Sequence, residues 1–349
     1  MCVLAGYIGS LPAAELLLET GEVMQGLWSG FYTGIGVLGD DGTLRKFKTA
    51  GYSRYFREQF DLADLPGHCG LFHSRTNSGG DARYAHPFVS GDNTVMLCGQ
   101  GRAGYFARFD DRPTEIGNML LKQGIKFSSA DTTQEKKKYQ ILDDGSQVHV
   151  SDIVTEYAAF LYKKIADPVQ TVRQCATDIL EEGISLYIFK AHPGHIFVSN
   201  VNCRLAIRFR PDGVLMATSK IALGTAPGRD LELPCNCVAD ITADSIKIEE
   251  LSKQLEVSSI TDQTGLYAEI FEYIKNNRGT SMAQIRDNII NPRCTRGWLF
   301  DAYPYQIVEQ MLNEGIIKLA SEEIPGPPCS SSKAWQTLIY PANFTLEQQ

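Results

Sequence analysis

The sequence predicts a layered α+β protein carrying a small helical unit toward its C-terminal end. Three observations predict it. Strand-like and helix-spaced stretches fall in segregated blocks instead of alternating strictly, which argues for packed layers over a βαβ parallel sheet. A chain of 349 residues with 43% hydrophobic residues can fill two domains, or one large domain with an added module. Composition then shifts near residue 250, where a Pro-, Gly- and Cys-rich stretch, 226–237, is followed by a charged one, 241–254.

Taken in order, residues 2–9 form an apolar run bounded by glycine, which suits a strand buried on both faces. Ser10 starts a helix with Pro12 in its first turn and Leu16, Leu17, Val23, Met24 and Leu27 on an apolar stripe. Residues 31–38 and 43–48, joined by Asp40-Asp41-Gly42, read as a β-hairpin. Residues 53–64 look helical, and 68–73 and 94–98 look like strands across a polar, Gly-rich loop. Helical spacing returns over 113–123 and 151–182. Four strand-like runs follow at 185–189, 195–199, 205–209 and 214–218, with Pro211-Asp212-Gly213 turning the last pair. Beyond residue 258, three short helical patterns (265–276, 281–289, 303–313) and a final strand (335–340) give the order of a winged helix. The expected units are therefore 2–250 and 258–349.

Charge narrows the partners. The formal net charge is −8, and residues 258–349 hold seven Lys/Arg against ten Asp/Glu, net −3. This argues against a DNA-binding wing and favours protein docking. Residues 1–18 lack the basic start of a signal peptide, and no apolar run approaches the roughly 20 residues of a membrane span. Nine cysteines, an odd number without a CxxC, point to a reducing compartment, so the expected location is the cytoplasm. Cys235 and Cys237 lack the second Cys/His pair that a zinc site needs. The GxGxxG at 99–104 lacks the strand, turn and helix of a dinucleotide site, and Ser78-Gly79-Gly80-Asp81 is only loosely like an ATP-pyrophosphatase loop.

Cys2 is the residue with chemistry of its own. Removal of Met1 leaves a thiol and a free α-amino group on one residue, and an amine titrating near 8 can serve as that thiol's base. The opening Met1-Cys2-Val3-Leu4-Ala5-Gly6-Tyr7-Ile8-Gly9 is similar to that of class II glutamine amidotransferases, the family of glucosamine-phosphate synthase, amidophosphoribosyltransferase and glutamate synthase. Further matches follow in the family's order. Gly70-Leu71-Phe72-His73-Ser74-Arg75-Thr76-Asn77-Ser78-Gly79-Gly80 resembles the strand and loop presenting the glutamine-binding arginine. Ala85-His86-Pro87-Phe88 resembles the His-Pro motif, and Cys98-Gly99-Gln100-Gly101 falls where the family has its Asn-Gly oxyanion element. Phe127-Ser128-Ser129-Ala130-Asp131-Thr132 resembles the segment ending in the aspartate that holds the substrate's amino group.

The resemblance implies the four-layer αββα sandwich of N-terminal-nucleophile hydrolases over residues 2–250. It implies hydrolysis of L-glutamine through a Cys2 thioester, without a cofactor, and ammonia delivery to an acceptor on a partner protein; a homo-oligomer is compatible with it. Cys2, Gln100 and the Gly101 N–H are then catalytic, and Arg75, Ser78 and Asp131 bind substrate. The residue types suit a free amino acid, which offers a carboxylate to a guanidinium and an ammonium to a carboxylate. His73 is expected to fix the loop, and His68 and His86 to be structural. Three departures stand out: Val3 where the family has Gly, Trp28-Ser29-Gly30 where it has Arg-Gly, and Gln100 where it has Asn. They keep two alternatives open, a silent glutamine-binding regulatory module and another Cys-dependent amidohydrolase on the same scaffold.

Overall fold

A computed structural model describes residues 2–27, 29–101, 111–133, 139–179, 183–251, 259–295, 303–328 and 330–344. Met1, Trp28, Cys329 and the 102–104 half of the GxGxxG lie outside them. The chain opens with β1 (Val3–Gly9), α1 (Ala13–Met24), β2 (Tyr32–Leu38), β3 (Leu44–Thr49), α2 (Ser53–Gln59) and β4 (Cys69–Arg75). Next come β5 (Phe88–Val89), β6 (Val95–Gly101), α3 (Arg112–Lys122), and the short pair β7 (Gln140–Ile141) and β8 (Gln147–Val148). Two helices, α4 (Val150–Ile165) and α5 (Pro168–Asp178), lead to β9 (Gly183–Phe189), β10 (Ile196–Asn200), β11 (Ala206–Arg210) and β12 (Gly213–Ala217). The single helix expected over 151–182 is thus two. Pro168 cannot continue the first, and its fixed φ suits the opening of the second, where Asp167 caps Gln170 N–H.

Residues 226–254, read in the sequence only as a shift in composition with no strands, supply β13 (Arg229–Glu232), β14 (Cys237–Ile241) and β15 (Ile246–Glu250). Their outward residues are charged because these strands lie at or next to sheet edges, and that hid the period-two signal. After them stand α6 (Leu266–Asn276), α7 (Met282–Ile285), α8 (Tyr303–Asn313) and the hairpin β16 (Ile317–Pro325) and β17 (Lys333–Pro341). The sequence reading found β17 and missed its partner.

Two antiparallel sheets face each other, ordered β13-β11-β12-β1-β4-β2-β3 and β15-β14-β10-β9-β6-β5. Alternation along β1 explains how they pack. Leu4 and Ile8 point between the sheets, joining Leu71, Met96, Cys98, Leu186 and Met216. Val3, Ala5 and Tyr7 point outward, onto α1 and the helices beyond residue 259, in one continuous core with Leu17, Ile270, Met282 and Val308. The outer face of the second sheet is covered by α3, α4 and α5, with Leu97 and Phe189 of the sheet sharing a core with Leu120, Ile153 and Val172 of the helices. Helices therefore cover both outer faces. Among the described residues, no helix is long and apolar enough to cross a membrane.

Candidate functional site

Strand pairing decides where the site lies. β1 begins where β4 ends, because Val3 pairs with Ser74, and one step further Cys2 comes opposite Arg75. Arg75 has the parity of Leu71, which faces the space between the sheets, and Cys2 stands just before β1, at the same end of the sheet and within electrostatic reach of Tyr139 and Tyr305. Gln100 of β6 has the parity of Met96 and Cys98, and it also borders a small cavity with Val154, Cys175, Ile179 and Tyr187, under α4 and α5. Cys2 is half-buried.

The Arg75 side chain is almost wholly buried, at 2% exposure. Its Nε donates to Ser78 Oγ (2.8 Å), Nη1 to the Tyr84 carbonyl (2.6 Å), and Nη2 to Tyr139 Oη (2.9 Å) and the Gly79 carbonyl. Its carbon lies 4.1 Å from the centre of the Tyr32 ring. All of these acceptors are neutral, so among the described residues the guanidinium has no carboxylate as a hydrogen-bond partner.

Asp131, 4% exposed, belongs to the same neighbourhood. Its backbone bridges Gln147, and Oδ1 accepts from the Thr133 N–H (2.8 Å) and Oγ1 (2.7 Å). Its Oδ2 takes Nη2 of Arg83 at 2.8 Å. Arg83 precedes Tyr84, whose carbonyl holds Arg75, and Tyr84 Oη donates to Gln147 O at 3.3 Å. One turn, Ala82–Tyr84, thus ties together the expected carboxylate-binding and ammonium-binding groups.

Gln100 is 4% exposed, and among the described residues neither its amide nitrogen nor its amide oxygen has a hydrogen-bond partner. Gly101 ends β6 opposite Gly183. No hydrogen bond connects this pair to the group around Arg75 among the described residues. His73 lies between the two: its ring bonds the Gly99 backbone, and burial, with the Arg75 charge adding, drives its pKa down to about 3. His86 packs beside it, the ring centres 4.1 Å apart and the planes tilted by 40°, and is held neutral by burial and by the neighbouring histidines and cations. His68 lies outside this group, with Nδ1 3.0 Å from Leu11 O.

The sequence reading missed four side chains here. Arg83 and Tyr139 touch the expected residues directly. Lys48 crosses from β3 to donate to Arg83 O (2.8 Å) and Ala85 O (2.9 Å), and burial, reinforced by Lys46, brings its pKa down to about 7. Tyr305, fully buried on α8, shares with Tyr139 the electrostatic influence of Cys2: burial raises both phenols and the Cys2 charge adds to the rise. The signal that could have found Lys48 is its place on the inward side of an alternating strand.

No protein-family model matches the chain. Among curated proteins it is similar to the glutamine–fructose-6-phosphate aminotransferase (isomerizing) of Tropheryma whipplei, 23% identical over 314 residues, covering 84% of this chain and 46% of that protein. A shorter match, 36% identical over 104 residues, joins 29% of this chain to 17% of the protein of the same name from Staphylococcus epidermidis. The chain spans less than half the length of these curated relatives. Among solved structures, the glutamine phosphoribosylpyrophosphate amidotransferase of B. subtilis, complexed with ADP and GMP, superposes with a TM-score of 0.55 at 16% identity, covering 80% of this chain and 53% of that one. A structure described as the allosteric regulatory enzyme of purine biosynthesis gives 0.56 at 17%, with the same coverage. This chain resembles the class II glutamine amidotransferases.

The amidotransferase likeness is one of fold, and β17 meets the described residues on either side of Trp28. Thr337 N–H donates to Gly26 O (2.9 Å) and Trp335 N–H to Gly30 O (3.2 Å), so β17 holds this loop. The loop in turn supports the end of β4, since Gly30 N–H donates to Ser74 Oγ (3.0 Å) and Phe31 N–H to Arg75 O (3.1 Å). Trp28 itself, the departure noted above, lies outside the described residues.

Proposed function

We propose that the chain hydrolyses L-glutamine to glutamate and ammonia, with Cys2 as nucleophile after Met1 is removed. The α-amino group takes the thiol proton as Sγ attacks the γ-carbonyl. The C–N bond then breaks, the ammonium proton passes to the leaving nitrogen, and ammonia departs from a γ-glutamyl thioester. Water adds to the thioester, the C–S bond breaks, and glutamate leaves as the thiol is restored.

The observation that carries this reading is Arg75: a buried guanidinium with neutral hydrogen-bond partners, in register with a half-buried Cys2 and tied through one turn to buried Asp131. Arg75, with Ser78 beside it, receives the α-carboxylate and Asp131 the α-ammonium. Gln100 supports the oxyanion role, because a buried amide without a partner is costly unless a ligand satisfies it. Gly101 N–H is the second donor. Ammonia passes to an acceptor site on a partner protein, for which the acidic region 258–349, read as a winged-helix-like unit, is the docking surface.

A second reading, a glutamine-binding regulatory module without turnover, is favoured by one observation: Arg75 and Asp131 are already engaged by protein groups. Ammonia release from L-glutamine by the full chain, beside Cys2→Ala and Gln100→Ala, separates the two. We expect no release from Cys2→Ala. For Gln100→Ala we expect a kcat about 100-fold lower with little change in Tm, since that amide gives up no hydrogen bond. Undiminished release by Cys2→Ala overturns the proposal, and binding without release by the unaltered chain selects the second reading.

A further inference from the structure

We infer that Tyr139 is a further substrate-contacting residue of this site: its hydroxyl completes the seat of the substrate's α-carboxylate on Arg75 and makes the site selective for amides that carry one. The inference rests on the glutaminase reading and adds to it a residue that the ordered motifs do not contain.

A guanidinium grips a carboxylate through a pair of parallel N–H groups, on its Nε and Nη2 edge or on its Nη1 and Nη2 edge, and Nη2 belongs to both. In Arg75 it is Nη2 that meets Tyr139, 2.9 Å from the phenol oxygen, with the Gly79 carbonyl as its other acceptor. Ser78 Oγ holds Nε at 2.8 Å, and the Tyr84 carbonyl holds Nη1 at 2.6 Å. A carboxylate that takes either edge therefore arrives against the Tyr139 hydroxyl.

Tyr139 is placed to stay there and change partner. Its ring stacks on Tyr84, the centres 4.5 Å and the planes 20° apart, and lies 5.2 Å from the His149 ring. Only the hydroxyl proton has to move. It is shared between the Gly79 carbonyl (3.0 Å) and the Ser78 carbonyl (3.3 Å), and Gly79 keeps Arg75 Nη2 as a donor when the proton turns away. Burial raises the phenol above its ordinary value; Arg75 and Ser78 pull it back, and the Cys2 charge adds to the rise. The hydroxyl thus keeps its proton at neutral pH and stands within electrostatic reach of both Arg75 and Cys2. L-Glutamine lying with its carboxylate at Arg75 and its amide at Cys2 passes this donor. A hydrogen bond from the hydroxyl to that carboxylate is stronger than the neutral one it replaces.

Tyr139→Phe keeps the ring against Tyr84 and removes only the hydroxyl. Ammonia release from L-glutamine by the full chain, with and without this substitution, should show KM raised about tenfold and kcat within about twofold, the mark of an interaction made equally in ground and transition states. Calorimetry on Cys2→Ala, with and without Tyr139→Phe, reads the same loss without turnover. There the Kd of L-glutamine should rise about tenfold, while any affinity for 4-aminobutanamide, the same amide without its α-carboxylate, should not change. L-Glutamine held equally well or more tightly after Tyr139→Phe overturns the inference, the second result making the hydroxyl a competitor for Arg75. Equal weakening of both compounds also overturns it and makes Tyr139 a support of the pocket. Weakened binding of L-glutamine alone, with no ammonia released by the unaltered chain, sustains the inference while the hydrolysis reading fails. Neither release nor binding of L-glutamine overturns both.

Discussion

Glu156 shows how far burial reshapes single groups behind the site. Its carboxylate accepts the Gly91 N–H at 2.8 Å, yet burial outweighs that bond and raises its pKa from 4.5 to about 7. The unfolded chain thus gives up this proton at lower pH than the folded one. Stability from this group is complete below about 4.5 and is lost as pH rises toward 7, roughly 3 kcal/mol in all. Glu156→Gln keeps an acceptor for Gly91 and removes the charge. We expect it to flatten the fall in stability between pH 4.5 and 7, read from urea unfolding at several pH values. At this scale the sequence was informative where chemistry is local: Cys2, Arg75, Ser78 and Asp131 stand in ordered motifs. It was silent on Arg83, Tyr139 and Lys48, because their contacts exist only after distant segments meet. Tyr139 reaches Arg75 across 64 residues, and Lys48 reaches Ala85 across 37.

Among the elements, the loop between α1 and β2 is the one on which the end of β4 depends. Gly30 has φ +103°, and a Cβ there would sit 2.6 Å from the Trp335 carbonyl. Both the backbone conformation and the close approach require glycine. Gly30→Ala is expected to cost roughly 1–3 kcal/mol and to loosen Arg75 through Ser74, raising KM for glutamine more than it lowers kcat. Unfolding midpoints and steady-state kinetics check this. The central strands were legible because β1, β4 and β9 each carry a stretch of apolar residues, as at Leu71-Phe72 and Leu186-Tyr187-Ile188-Phe189. β13, β15 and β16 were not, since edge strands expose charged residues, as β15 does at Lys247 and Glu249 on one face and Glu250 on the other. The break between α4 and α5 was written in Asp167-Pro168, where a helix pattern runs on but proline forbids its continuation.

For the whole molecule, residues 259–344 do not form a detached appendage. Their buried side chains Leu266, Ile270, Met282, Ile285, Val308 and Met311 share one core with Val3, Leu17 and Phe72. At about 1.5–3 kcal/mol for each fully buried large apolar side chain, even a few such contacts rival the roughly 5–15 kcal/mol that typically holds a domain together. A chain ending at residue 251 is therefore expected to lose its cooperative thermal transition or to aggregate, as judged by calorimetry and size-exclusion chromatography. The same core brings Tyr305 of α8 within electrostatic reach of Cys2, so the C-terminal helices help enclose the strand that follows Cys2. Composition alone suggested a boundary near 250, and nothing in it indicated that the faces on either side would be buried together.

The central claim is that Cys2, stripped of Met1, attacks a glutamine amide. Treating the full chain with an electrophilic glutamine analogue, such as its γ-diazoketone, and locating the adduct by peptide mass spectrometry tests it most directly. The account predicts one adduct, on a peptide that begins at Cys2, with labelling suppressed by excess L-glutamine. A retained Met1 on the labelled protein, or an adduct spread over other cysteines and indifferent to glutamine, would contradict it.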